Sequence, residues 1–146
     1  MLQAGICRET AVTDPNDLRT KGERTRTRVL GASHVARAKA RSGAFDAPFQ
    51  ELLTDAAWGH VWSRPDIPAR ERSMITIALL AALGHWNELA MHVRATRNTG
   101  ASPEDIREAL LHVAIYAGIP AANRAFEVAR DALAELSAPA EEGENP

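Results

Sequence analysis

The run MITIALLAALG, residues 74–84, is the longest apolar stretch in the chain and the strongest indication of its fold class. A helix built on this run is apolar on nearly every side, which is typical of a helix at the centre of a protein. The predicted helix begins after Pro68 and ends at Gly84, because proline and glycine are common at helix boundaries. The run is far shorter than a membrane span. It therefore predicts a central helix of a soluble domain.

The next segment, NELAMHVRATRNTG at residues 87–100, has the pattern of an amphipathic helix. Asn87 is a typical N-cap residue, and Gly100 is typical of the position that follows a helix C-terminus. The sequence therefore predicts a helix between these two residues.

The best-defined helix boundary is the sequence SPED, which begins at Ser102. Ser102 has the side chain of an N-cap, Pro103 suits the first helical position, and Asp105 occupies the acidic position of a capping box. The helix that follows is rich in apolar residues and is predicted to lie in the core. A glycine and a proline at 118–120 then separate it from a last helix over residues 121–136.

Two further helices are predicted before the apolar run. The first covers residues 23–41, where a weak apolar stripe recurs at helical spacing. The second extends from Asp46 to Trp62, and the two prolines of SRPDIP then interrupt the pattern. Because no segment has the alternating pattern of a strand, the sequence predicts an all-α fold of six helices.

Length and composition predict one globular domain. The chain has 146 residues, of which 45% are hydrophobic and 25% are charged, and this is enough to bury a single core. Residues 1–22 are polar and are predicted to form a flexible N-terminal extension. Residues 23–136 are predicted to form the domain, and residues 137–146 a disordered acidic tail.

Charge and cysteine content exclude several function classes. The formal net charge of -2 at pH 7 provides no basic field for nucleic acid. The N-terminus lacks the basic and apolar regions of a secretion signal, so we expect a cytoplasmic protein. Because Cys7 is the one cysteine, the chain cannot form an internal disulfide, a CxxC redox pair or a cysteine-based zinc site. These features favour a soluble protein that acts on a small molecule.

Glu88 and His92 are the main candidate site residues. They lie four residues apart, so their side chains share one helix face and can reach a common point. Glu88 in the first helical turn is expected to stay ionised and to raise the proton affinity of His92, which would make the imidazole a proton donor near neutral pH. Pairs of polar residues at this spacing are also common on helix surfaces, so a purely structural role for both residues stays open.

A metal site was the second interpretation of this segment. His85, Glu88 and His92 are nitrogen and oxygen ligands of the type that catalytic zinc uses. However, His85 follows Gly84 and precedes the helix proper, and no second histidine lies four residues from His92. The sequence therefore predicts no metal ligands.

Other candidate residues allow two interpretations each. Trp58 and Trp62 could pack in the core or line a pocket. Arg72 could extend to solvent or bind an anion through its planar guanidinium. His34 could belong to the core or to a site.

The chain resembles the carboxymuconolactone decarboxylase and alkylhydroperoxidase-D-like family. The resemblance lies in the run RSMITIALLAALGHWNELAMHVRATRNTGASPEDIREALLHVAIYAGIPAANRAFEVARDAL and in RVLGASHV and FQELLTDAAWGHVWSRPDIPARER upstream. It covers about residues 24–136. It implies an alkylhydroperoxidase-D-like fold of six helices in a homo-oligomer, a hexamer or a trimer, with the site near subunit contacts.

The resemblance also implies where the site lies. In peroxidase relatives the helix begins with a CxxC pair followed by a histidine, and Glu88 and His92 match the second cysteine and that histidine. Thiol chemistry is therefore excluded here, whereas the position of the site at this helix start is retained.

A decarboxylase of this family implies a lactone dicarboxylate as substrate and a role in aromatic catabolism. Electrons left by CO2 flow into the lactone carbonyl, so no cofactor is implied. We expect His92, oriented by Glu88, to transfer the proton, and Arg72 to bind a carboxylate, with His34 and Trp58 lining the pocket. Arg94 points about 200° away from His92 around the helix and is expected at the surface or at a neighbouring subunit. Another lactone or acid as substrate, or a non-catalytic oligomeric binding protein, remain the alternatives.

Overall fold

The computed structural model describes residues 15–138, and the regular secondary structure of this part of the chain is helical, without a strand. A π-helical segment, Leu53–Trp62, continues α3 without a break and is called the π segment below. The α-helices are α1 Pro15–Leu30, α2 Ala32–Arg41, α3 Ala47–Leu52, α4 Ala69–Leu83, α5 Trp86–Thr99, α6 Pro103–Tyr116 and α7 Ile119–Ser137. The predicted all-α class is confirmed.

The first predicted helix, over residues 23–41, is wrong in two respects. It is two helices, α1 and α2, because Gly31 has a φ of 91°, a backbone conformation that an α-helix cannot contain. It also begins earlier, at Pro15, so residues 15–22 are helical instead of belonging to a loose extension. The predicted extension before Pro15, with Cys7, and the predicted tail after Ala138 lie outside the described residues.

Close packing against the π segment explains why α1 begins so early. A Cβ atom added at Gly22 would lie 2.3 Å from the carbonyl oxygen of Thr54. One added at Gly59 would lie 2.9 Å from the carbonyl oxygen of Leu18. The two backbones therefore approach each other at a distance that only glycine permits, and the start of α1 gains its stability from this tertiary contact.

The predicted boundaries of the later helices are mostly confirmed. Gly84 and Gly100 end α4 and α5 in the left-handed conformation, with φ values of 75° and 84°. The capping box is present, since Asp105 N donates to Ser102 Oγ at 3.2 Å and Ser102 N donates to Asp105 Oδ2 at 2.9 Å. Asn87 is not the N-cap of α5, because the helix already includes Asn87. It begins at Trp86, and His85, two residues before Asn87, occupies the capping position.

Two buried clusters lie on opposite faces of α5. The C-terminal core joins α4, α5, α6 and α7 and consists of the buried apolar residues Ile77, Ala81, Leu89, Val93, Ile106, Leu110, Val113, Ala122, Ala125, Ala129 and Ala132. The N-terminal cluster joins α1, the π segment and α5 through Val29, Trp58, Trp62 and Ala95. Helix α5 therefore contributes buried residues to both clusters.

The predicted central helix, α4, packs against α5, α6 and α7, but one of its apolar faces is exposed in the single chain. Ser73, Ile77 and Ala81 face the core, whereas Ile75 and Leu83 are 52% and 67% exposed. Leu79 on α4 and Leu111 and Ile115 on α6 are exposed as well, and we call these five residues the α4–α6 apolar surface. Within residues 15–138, no helix is long and apolar enough to cross a membrane.

Candidate active site

His92 lies in a stack of aromatic rings on the face of α5 that meets the N-terminal cluster. Its imidazole is 5.8 Å from the ring centroid of Trp62 and 6.4 Å from that of Trp58, at interplanar angles of 20° and 14°. The two tryptophans lie four residues apart on the π segment, with centroids 5.3 Å apart. Helical segments of this wider type often occur at functional sites. The sequence identified Trp58 and His92 separately, and the fold brings them together.

Two nitrogen atoms of this stack are buried without a hydrogen-bond partner in the described part of the chain. They are Nδ1 of His92 and Nε1 of Trp58. Buried polar atoms without partners are rare in folded proteins, and a bound ligand or water is one of the usual reasons for them. The unpaired N–H group of Trp58 and the unpaired Nδ1 of His92 distinguish the stack from ordinary aromatic packing.

The pKa of His92 is lowered to about 4, mainly because burial disfavours the charged ring. The nearby His34 lowers it further, and the charge of Glu88 raises it by less than burial lowers it. The expectation that Glu88 makes His92 a proton donor near neutral pH is therefore wrong for the free chain. Glu88 is exposed in the first turn of α5, and His92 is neutral at pH 7.

A cleft of about 450 Å³ lies between α2 and α5, beside the helical turn that carries His92. We call it the α2–α5 cleft. Its apolar lining includes Leu30, Met91 and Leu136, and its polar lining consists of Ser33, His34, Arg37, Arg94, Arg97 and Asn98. The volume is within the range of small-molecule pockets. His34 lines this cleft, whereas Trp58, which was expected to line the same pocket, is not among its residues.

The α2–α5 cleft is electropositive. The pKa of His34 is lowered by burial and, secondarily, by the positive charges of Arg37, Arg26, Arg41 and Arg94. Such a concentration of positive charge favours an anionic ligand.

The three arginines that line the cleft differ in their partners. Arg94 is bound by Glu135 of α7, with Nε–Oε2 and Nη2–Oε1 distances of 2.6 and 3.2 Å. Arg37 and Arg97 are exposed and have no carboxylate partner among residues 15–138. Arg94 was expected at the surface or at another subunit, and the structure places it at the surface and in the same cleft as His34.

Arg72 is not among the residues that line the α2–α5 cleft. Its Nη2 donates to the carbonyl oxygen of Arg64 at 3.0 Å, and its Nε is buried without a partner among the described residues. The structure therefore stacks His92 on Trp58 and places His34 close enough to affect the pKa of His92. His92 and Trp58 do not line the α2–α5 cleft, Glu88 lies at the surface, and Arg72 has different neighbours.

Sequence reasoning missed Arg37 and Arg97. The signal available was helical spacing, because Arg37 follows His34 by three residues on α2 and Arg97 follows Arg94 by three on α5. Nothing in the spacing shows that the two helices face each other.

The histidine and acidic side chains near α5 do not gather into a metal-binding group. Within residues 15–138 no three or more His, Cys, Asp or Glu side chains lie close enough together to hold a metal ion. His85 occupies the N-cap position of α5 and is exposed.

The fold and the site together define an all-helical protein with a buried, neutral imidazole beside a cationic cleft. Sequence comparison agrees with this class, since the model of the carboxymuconolactone decarboxylase family matches residues 47–131, more than half of the chain. The chain belongs to the carboxymuconolactone decarboxylase family.

Two relatives are similar over most of their length. The 4-carboxymuconolactone decarboxylase of Acinetobacter baylyi is 43% identical over 116 residues, which cover 80% of this chain and 87% of the relative. The nitrosuccinic acid decarboxylase npaB of Metarhizium robertsii is 37% identical over 116 residues, which cover 80% of this chain and 81% of the relative.

Proposed function

We propose that this protein decarboxylates 4-carboxymuconolactone to 3-oxoadipate enol-lactone and CO2, in the protocatechuate (β-ketoadipate) branch of aromatic catabolism. The observation that carries the proposal is the 43% identity to a 4-carboxymuconolactone decarboxylase over 87% of that relative. The cationic α2–α5 cleft supports it, because the substrate is an anion of two carboxylates. We further propose that the reaction takes place in the cytoplasm.

The organic chemistry defines what the protein must supply. When the carboxylate leaves as CO2, its bonding electrons pass through the ring double bond into the lactone carbonyl and form a dienolate. A proton then adds to carbon. The lactone carbonyl accepts the electrons, so the reaction requires no cofactor, and the protein must orient the substrate, stabilise the oxyanion and deliver one proton.

His92 is proposed to carry this proton. In the free chain the ring is neutral, with a pKa of about 4. A substrate carboxylate close to the ring favours its protonated form, so substrate binding raises the pKa of His92 toward the working pH. Glu88 contributes in the same direction, since its charge already raises the pKa of His92 in the free chain. The imidazolium then transfers its proton to the dienolate carbon and returns to the neutral form.

Trp58 is proposed to form the wall of the site. Its ring is 4% exposed and, with Trp62, covers the imidazole on the side of the N-terminal cluster. A site walled by aromatic rings excludes water from the departing carboxylate and strengthens the electrostatic interactions inside it.

Arg72 and His34 are the remaining residues that we propose for substrate binding. His34 lines the α2–α5 cleft and is close enough to His92 to affect its pKa. Arg72 remains a candidate for binding one substrate carboxylate on the strength of its buried Nε, which has no partner among residues 15–138.

A second candidate function is the decarboxylation of a different dicarboxylic acid. The identity of 37% to a nitrosuccinic acid decarboxylase favours it. A nitro group can accept the electrons left by CO2 as a lactone carbonyl does, so the same cationic cleft and the same proton donor would serve both reactions.

The protein is proposed to act as a homo-oligomer, a hexamer or a trimer. The five residues of the α4–α6 apolar surface are exposed on the single chain, at four-residue spacing on each of two helices that pack together, and such exposed apolar helix faces favour subunit contacts. Sedimentation of the purified protein at micromolar concentration tests this. A species of 15.8 kDa alone would exclude the oligomer.

The function is tested by mixing the purified protein with 4-carboxymuconolactone and measuring CO2 release, without added metal or thiol and after exhaustive chelation. Nitrosuccinate serves as the second substrate in a parallel assay. We expect CO2 from 4-carboxymuconolactone at a rate that chelation leaves unchanged. Release from nitrosuccinate alone would favour the second candidate, and release from neither would contradict both.

A further inference from the structure

We propose that Arg37 and Arg97, one from each wall of the α2–α5 cleft, form the subsite that holds the carboxylate which the substrate keeps after CO2 has left. The identity of the ligand as a dicarboxylate rests on the proposed function. The existence of an anion subsite rests on the cleft itself.

The first argument is geometric. On α2, His34 and Arg37 are three residues apart, so both side chains project from the same face into the cleft. On α5, Arg94 and Arg97 have the same spacing and line the opposite wall. Asn98 fixes this arrangement, because its Nδ2 donates to the carbonyl oxygen of Val29 at 2.9 Å and ties α5 to the end of α1.

The second argument concerns which cations are free. The guanidinium of Arg94 is occupied by the two oxygens of Glu135, and that of Arg72 donates to the carbonyl oxygen of Arg64. Arg37 and Arg97 have no carboxylate partner in the described part of the chain. A planar guanidinium binds a carboxylate through two parallel hydrogen bonds, so two such groups facing one cleft suit a single carboxylate.

The third argument concerns the backbone at the mouth of the cleft. Gly31 separates α1 from α2, and the first turn of α2 lines the cleft with Ser33 and His34. No side chain caps this helix start. Its free amide groups add to the field of the two arginines and favour the same sign of ligand charge.

The last argument concerns the position of the cleft relative to His92. Met91 and Ala95, which line the cleft, flank His92 on α5, and His34 in the cleft affects the pKa of His92. A dicarboxylate held by one end at Arg37 and Arg97 would therefore share the cleft with His34, the lining residue that affects the pKa of His92. The subsite thus selects substrates with a second carboxylate.

The test compares Arg37→Gln and Arg97→Gln with Arg124→Gln as a matched control. Arg124 is an exposed arginine of α7 that lines no part of the cleft and pairs with Glu127. We expect KM for 4-carboxymuconolactone to rise about tenfold for each cleft variant, the usual cost of losing a hydrogen bond to a charged group, with little change in kcat. The control should keep both constants, and circular dichroism checks that all variants are folded.

A second readout does not depend on turnover. Calorimetry measures the binding of succinate, and of monomethyl succinate as the matched ligand with one carboxylate, to the wild type and to the Arg37→Gln, Arg97→Gln double variant. We expect the wild type to bind succinate more tightly than the ester. The double variant should lose this preference.

The outcomes separate this proposal from the proposed function. Loss of succinate preference in the double variant, with no CO2 release by the wild type, would support the subsite and contradict the decarboxylase. Normal KM and normal succinate binding in both cleft variants of an active enzyme would overturn the subsite alone. A tenfold rise in KM for Arg72→Gln, with normal Arg37→Gln and Arg97→Gln variants, would assign the carboxylate to Arg72 and also overturn it.

Discussion

The C-terminal core and the N-terminal cluster share α5 but differ in the kinds of side chain and polar atom that they bury. The buried residues of the C-terminal core are all apolar, and two polar side chains buried beside it are paired: Ser73 with Thr99 at 2.7 Å, and Asp105 with Arg70 and with the amide of Ser102. Buried atoms on this side that are unpaired in the described part of the chain, Oε2 of Glu71 and Nε of Arg72, lie at the start of α4 and outside the core cluster. The N-terminal cluster contains buried nitrogen atoms of Trp58 and His92 that have no partner within residues 15–138. An unpaired buried polar atom lowers stability.

The difference indicates that the two clusters have separate roles, one in stability and the other in catalysis. The apolar C-terminal core stabilises the fold, whereas the N-terminal cluster and the imidazole stacked on it retain buried, unpaired nitrogen atoms of a kind that catalytic sites need. If this interpretation is correct, substitutions in the two regions should separate activity from stability.

The largest expected effect is on turnover. In His92→Ala the rate at saturation should fall by roughly two to four orders of magnitude, the usual contribution of general acid–base catalysis, because the proton carrier is lost. Steady-state measurement of CO2 release checks this, with circular dichroism to confirm folding. Near-normal turnover in the folded variant would remove His92 from the mechanism and make His34 the next residue to test.

Glu88→Gln refines this prediction. The amide can still form hydrogen bonds, but it cannot raise the pKa of His92 as the carboxylate does. The rate should therefore fall less than in His92→Ala, and substrate binding should be retained. An identical loss in both variants would indicate a direct catalytic role for Glu88.

The second effect is on stability, in the other of the two clusters that meet at α5. Leu89 is fully buried in the C-terminal core, so Leu89→Ala should lower the free energy of unfolding by about 2–5 kcal/mol. Urea titration measures this, and the activity of the remaining folded protein should stay close to normal. His92→Phe is the contrasting variant, since it removes the unpaired nitrogen and should cost little stability. A similar loss in both variants would contradict the division between the two clusters.

The third effect is a pH dependence of stability that originates in the N-terminal cluster. The folded pKa of His92 is about 4, below the ordinary value of 6.5. Between these values the unfolded chain binds a proton that the native protein does not, so stability falls as the pH falls. The total loss is about 3 kcal/mol, and it becomes complete only once the pH has fallen below the folded pKa of about 4.

Urea titrations at pH 7 and pH 4.5 of the wild type and of His92→Phe isolate this contribution. Other titrating groups, including His34, affect both proteins, so the difference between them reports on His92. The variant should lose less stability on acidification. Equal losses would show that His92 does not remain neutral in the native protein.

The smallest effect concerns the capping box that begins α6. Ser102→Ala removes the oxygen that accepts from Asp105 N, and the expected cost is about 1 kcal/mol. Thermal unfolding checks this, with unchanged kcat and KM, because the capping box is no part of the N-terminal cluster. A change in kcat would link the two regions more closely than proposed.

What the sequence could predict depended on the range of the interactions involved. The capping box at Ser102 and the glycine ends of α4 and α5 are local, so residue types and spacing were sufficient for them. The start of α1 at Pro15 depends on a contact with the π segment, which lies more than thirty residues further along the chain, and was missed.

The site shows the same limit. Glu88 and His92 were found by their spacing, but the low pKa of His92 depends on burial by rings from a different helix. Arg37 and Arg97 have the appearance of surface charges in the sequence, and only the folded chain, in which α2 and α5 line one cleft, makes them neighbours.

The crossing of α1 and the π segment at Gly22 and Gly59 restricts how this protein could be altered by directed evolution. Alanine is normally about 1 kcal/mol better than glycine within a helix, and it would be an obvious stabilising choice at both positions. A methyl group at Gly22 would, however, lie 2.3 Å from a backbone oxygen, so the two helices would have to separate. Since the π segment carries Trp58 and Trp62, such a separation would move the aromatic wall of the site. A library that seeks new substrates should therefore vary the cleft arginines and leave both glycines unchanged.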